Sequence, residues 1–112
     1  MPHTNAHVSD AESVLPDDVQ GEMWMLRDEL DTESLGFTVL ALEAGEETMS
    51  HAHLDDDQEE IYYVVTGGVD VDFGDHTVSL DTDEAIRISP EEERQIQNRD
   101  EFSKLVLASA PV

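Results

Sequence analysis

A chain of 112 residues is one domain's length and supports one core of modest size. Its 28 acidic residues outnumber 5 basic ones, and a net charge of −23 argues against binding DNA, RNA or an anionic membrane surface. It contains no cysteine, which excludes a disulfide scaffold, a thiolate metal site and a cysteine nucleophile.

The acidic residues are spread along the chain rather than gathered in a tail, and 38 % of the residues are apolar, in strand-like runs. The composition is that of a folded protein whose self-repulsion calls for screening by salt. It resembles proteins of salt-loving organisms with a salt-rich cytoplasm; an acidic interaction protein is the other reading.

Residues 1–20 are polar, carry Pro2 and Pro16, and read as an N-terminal arm, loosely ordered or laid on the body. The start lacks a basic and apolar leader, and no run is long enough to span a membrane, so a cytoplasmic protein is expected. The remaining residues, 21–112, read as one domain. The stretch 22–30 is a strand or a short helix, and 31–36 a loop. FTVLALEAG (37–45) is apolar, β-branched and stopped by glycine, which predicts a strand. ETMSHAH (47–53) is expected to be the next strand. EEIYYVVTGG (59–68) is rich in β-branched and aromatic residues and ends at Gly67-Gly68. VDVDF (69–73) alternates, Gly74-Asp75 supplies a hairpin turn, and HTVSL (76–80) alternates again. EAIRIS (84–89), RQIQN (94–98) and FSKLVLASA (102–110) complete a set of short strands with short connections. That spacing predicts an all-β sandwich or barrel.

The chemistry concentrates in HAHLDDDQEEIYYVVTGG, residues 51–68. On a strand, residues two apart share a face, so His51 and His53 would project together. Glu60 shares its face with Tyr62 and Val64. If those are core residues, Glu60 points inward and needs a cation or hydrogen-bond donors. Two histidines and a carboxylate converging on one point form a facial triad with open metal positions. The plain alternative is a surface strand bearing two histidines. His3 and His7 fall in the arm and His76 at a hairpin turn, where solvated roles are expected. Trp24, Met23 and Met25 read as packing residues that could line a barrel mouth. The acidic runs LDDDQEE and SPEEER read as solvated loops without the spacing of a calcium loop.

GEETMSHAHLDDDQEEIYYVVTG resembles the first motif of the cupin family, G-x5-H-x-H-x(3,4)-E-x6-G, on Gly45, His51, His53, Glu60 and Gly67. The interval from His53 to Glu60 is longer than the family's, the surplus including Asp55, Asp56 and Asp57. Taking Glu59 as the ligand would shorten it but break the spacing to Gly67. The second motif, G-x5-P-x-G-x2-H-x3-N, is matched only at Asn98, and Arg94 stands where the family has its fourth ligand, a histidine. Arginine cannot bind a metal. Pointing inward, it could pair with Glu60 and replace the metal, or leave a three-ligand metal and offer its fork to an anionic ligand. Pointing outward, it does neither.

The resemblance implies a double-stranded β-helix of jelly-roll type. It also implies a divalent transition metal (Fe, Mn, Ni or Zn) on His51, His53 and Glu60, and a small-molecule ligand near Arg94, Tyr62 and Asn98. Similar proteins are commonly homodimers. Three functions fit: a metal-dependent oxygenase or isomerase acting on a small organic acid or sugar, a non-catalytic ligand-binding module, or a metal-free cupin in which Arg94 neutralises Glu60.

Overall fold

The computed structural model describes residues 3–15, 21–53 and 57–112. Among these residues eight strands form two antiparallel sheets. They are β1 (Glu22–Met25), β2 (Gly36–Glu43), β3 (Gln58–Thr66), β4 (Gly68–Asp72), β5 (Thr77–Asp81), β6 (Ala85–Ile88), β7 (Gln95–Asn98) and β8 (Phe102–Pro111). One sheet has the order β1-β2-β8-β3-β6 and the other β5-β4-β7. This is the all-β architecture that the strand spacing predicts and the double-stranded β-helix that the resemblance implies.

The inward faces follow from alternation. Along β3, Glu60, Tyr62 and Val64 are buried while Ile61, Tyr63 and Val65 face solvent. Leu40 and Leu42 of β2 and Leu105 and Leu107 of β8 supply neighbouring rows. Val69 and Val71 of β4, Leu80 of β5 and Ile96 of β7 close the core from the other sheet. Each buried aliphatic or aromatic side chain in these rows contributes about 1.5–3 kcal/mol relative to exposure.

The stretch 22–30 resolves into both of its expected forms: β1, then one turn of helix, α1 (Arg27–Leu30). Asp31, left-handed at φ 55°, ends α1. A second, smaller cluster lies on the outer face of the large sheet. There Ala11 of the arm packs with Leu26 and Val39, flanked by Trp24, Leu30 and Phe37. The Val14 amide donates to the Met23 carbonyl at 2.8 Å, tying the arm to β1.

The expected strand at 47–53 is not formed. The segment makes only two isolated bridges, Glu47 to Gln97 and His51 to Arg94. The reason is local. The Ile96 amide donates to the Thr48 hydroxyl at 2.9 Å, so a side chain stands where a ladder needs a backbone acceptor. Asp55 and Asp56, the centre of the acidic loop, lie outside the described residues. Among the described residues no helix is long and apolar enough to cross a membrane.

Candidate metal centre

Three elements bring the site together. The pleat of β3 turns Glu60 inward and leaves its neighbour Glu59 outside, where it accepts from Arg87 Nε at 2.9 Å. His51 is held by reciprocal backbone hydrogen bonds with Arg94, 2.9 Å in each direction. The His53 amide donates to the Pro90 carbonyl at 2.8 Å. Backbone bridges to the 90–94 segment therefore aim both imidazoles at Glu60 without a continuous strand.

His51 Nε2 lies 3.4 Å and His53 Nε2 3.1 Å from Glu60 Oε1. The three donor atoms fall within 4.8 Å of one another, so the group could hold a metal ion. The imidazoles meet edge to face, with centroids 5.3 Å apart. Ligand bonds of about 2.1 Å place adjacent donors about 3.0 Å apart at right angles and about 3.4 Å apart in a tetrahedron. The two histidine-to-glutamate spacings match adjacent corners of such a polyhedron. Two imidazoles and one carboxylate are also the donors that Fe(II), Mn(II), Ni(II) and Zn(II) accept.

Arg94 points inward. It is 1 % exposed, and its Nη2 donates to Glu60 Oε1 at 2.5 Å. Its Nε donates to the Tyr62 hydroxyl at 3.3 Å, and its Nη1 to the carbonyls of Glu92 at 2.7 Å and Ser89 at 3.4 Å. The Tyr62 hydroxyl donates to Glu60 Oε1 at 3.4 Å. Burial works to raise the pKa of Glu60. Hydrogen bonds from His51 and Arg94, with the charges of Arg94 and His53, outweigh it and hold the carboxyl at about 2. Burial, with the Glu60 charge beside it, pushes the Tyr62 hydroxyl above its ordinary range, so Tyr62 stays a neutral donor. Glu60 is thus an ionised, oriented carboxylate at neutral pH.

A cavity of about 400 Å³ opens over this group and is lined by His51, His53, Glu60 and Tyr62. Its other walls are mainly apolar, with Met23, Met25, Phe37 and Leu107 among them. Two expected ligand contacts are not found there. Arg94 lies behind Glu60 and outside the cavity wall, each of its guanidinium nitrogens already donating to protein oxygen. Asn98 is remote from the group: its amide donates to the carbonyls of Leu42, Glu43 and Asp100, tying β7 to the end of β2. Of the other histidines, His76 is exposed and paired with Asp75, and His7 caps a turn in the arm.

The cation that does line the cavity is Arg27 of α1, which the sequence reading missed. Met23, Met25 and Arg27 are spaced by two. That alternation is the signal that could have found it, had the strand not given way to a helix at residue 27.

A two-sheet jelly-roll barrel with two histidines and a glutamate lining its cavity defines a class: double-stranded β-helix proteins with a candidate metal site. Residues 38–109 match the cupin domain family, Cupin_2, and the chain belongs to that family. No curated protein matches the chain. Solved structures with the same fold include an HTH_3 family transcriptional regulator from Vibrio cholerae, at 18 % identity and TM-score 0.76 over 94 % of this chain. This chain spans only 58 % of that regulator's length. A second is a conserved protein with a double-stranded β-helix domain from Klebsiella pneumoniae, at 18 % identity and TM-score 0.75, covering 96 % of this chain and 89 % of that one. A third is a cupin-superfamily sugar phosphate isomerase from Silicibacter pomeroyi, at 16 % identity and TM-score 0.76, covering 96 % and 76 %. At these identities the likeness is one of fold.

Proposed function

We propose that this cupin binds one divalent transition metal on His51, His53 and Glu60, and that its cavity takes a small organic molecule beside that metal. The observation that carries the reading is the convergence of three donor atoms, within 4.8 Å of one another, on the wall of a mainly apolar cavity. The bound ion would supply Lewis acidity and open coordination positions, as suits isomerase or oxygenase chemistry on a small acid or sugar. Arg94 and Tyr62 orient the carboxylate from behind, as outer hydrogen-bond partners of a ligating group do. The fold relative named as a sugar phosphate isomerase is in keeping with this class of substrate.

One observation favours a second reading. Glu60 Oε1 already accepts from Arg94, whose charge also opposes a cation at the same oxygen. If that pair takes the metal's place, the barrel is a metal-free binding module. Metal content decides between the two. Untagged protein purified without chelator is measured by mass spectrometry beside a His51→Ala/His53→Ala variant. Near-stoichiometric metal in the wild type, absent from the folded variant, is expected. No metal in either protein after incubation with Fe(II), Mn(II), Ni(II) and Zn(II) would leave the metal-free reading standing.

A further inference from the structure

We infer that Arg27 anchors the carboxylate of the cavity's ligand, so that the site selects a small organic acid spanning Arg27 and the metal position. This rests on the metal reading above and deepens it by naming the ligand class.

Arg27 is half-buried in the cavity wall. In a chain with 28 acids and 5 bases, an arginine is expected to find a carboxylate. Among the described residues the other three arginines do. Arg87 holds Glu59, Arg94 holds Glu60, and Arg99 holds Asp70 and Asp81. Among the described residues the Arg27 side chain makes no such pair; its one hydrogen bond there, to the Glu33 carbonyl, is long at 3.4 Å. A guanidinium has five N–H donors in a fork that matches a carboxylate. Arg27 is among the residues that line the mainly apolar cavity, beside His51, His53 and Glu60.

The sheet sets the distance. Glu60 pairs with Ser109 on β8, and Ser109 with Gly36 on β2. Two strand spacings separate Glu60 from Gly36, about 10 Å, and α1 follows the next strand, β1. Gly36 itself lines the cavity and carries no side chain to block the span; a Cβ there would collide with the Ser109 hydroxyl. One arginine balances one negative charge, and Glu60 is already balanced by Arg94. A carboxylate head, with two oxygens in one plane, matches the fork of Arg27.

The test uses full-length Zn(II)-loaded protein and titration calorimetry. The probes are hydroxamates, which chelate the metal, with tails of graded length ending either in a carboxylate or in the matched neutral carboxamide. At the best length the carboxylate should bind at least about tenfold more tightly than the carboxamide, the size of one charge-assisted hydrogen bond. Arg27→Gln should abolish that preference, leaving carboxamide affinity, zinc content and thermal midpoint unchanged. Equal affinity for the two ends in the wild type, or a preference that survives Arg27→Gln, overturns the assignment while the metal site stands. If zinc fails to load and no hydroxamate binds, the metal reading falls and this inference with it.

Discussion

Glu60 is where burial and charge compete most directly. A carboxylate 8 % exposed in a barrel is costly by itself, yet its pKa is lowered from 4.5 to about 2 because Arg94 and the two imidazoles face it. A folded-state pKa below the unfolded one stabilises the fold above the unfolded value and loses that contribution as pH falls through the folded one. In metal-free protein the contribution should be complete above about pH 4.5 and disappear toward pH 2. Its size, from a shift between those two values, is about 3 kcal/mol. Denaturant unfolding of the metal-free wild type and Glu60→Gln across this range checks it. The stability gap between the two proteins should narrow by about that amount as pH falls from about 4.5 toward 2. A gap unchanged down to the folded pKa would mean that Glu60 is not coupled to its cationic neighbours.

At the scale of elements, the decisive piece is the segment from Glu47 to His53, which carries two of the three donors without being a strand. Thr48 organises it. Its amide donates to the Ile96 carbonyl at 2.8 Å, its hydroxyl accepts from the Ile96 amide at 2.9 Å, and its carbonyl accepts from Gln95 Nε2 at 2.8 Å. Thr48→Val keeps the shape and removes the hydroxyl, leaving the Ile96 amide unpaired at a cost of about 1–3 kcal/mol. Because the histidines hang from this segment, the same variant should bind metal more weakly although every ligand is present. Thermal melting and a competition titration with a metal-binding dye test the two effects together. Lower stability with unaltered metal affinity would show that the bridges between His51 and Arg94 position the ligands without help from Thr48.

The whole molecule is governed by its charge. A net charge of −23 on 112 residues places like charges closer together than the screening length at low salt. Among the described residues a few pairs relieve this, such as Arg99 with Asp70 and Asp81, each at 2.9 Å. Stability should therefore rise with potassium chloride between about 0.1 and 2 M, as screening shortens to a few ångströms. Urea unfolding midpoints at several salt concentrations measure it. A midpoint indifferent to salt would mean that repulsion is equal in the folded and unfolded chains.

Much of this protein is set by its sequence alone. The two-residue period of β3 determines that Glu60 faces inward with Tyr62 and Val64, because the pleat imposes it whatever the neighbouring strands do. Glycines and short alternating runs likewise mark the strands, and the His51-x-His53 spacing marks two of the three candidate donors. Other features were decided only by tertiary structure. Arg94 could not be assigned inward from sequence, since its partners are set by a contact between residues 34 apart. Residues 47–53 look like a strand by composition, but the Thr48 hydroxyl takes the place of a ladder acceptor on β7. Asn98 sits at a motif position, yet its amide serves the carbonyls at the end of β2. Arg27 reaches the cavity only because β1 lies at the edge of the large sheet and turns into α1 there. Pleat and turn geometry are local and can be read along the chain. The partner of a charge, and the direction of a side chain outside a strand, depend on which distant segments the packed sheets bring together.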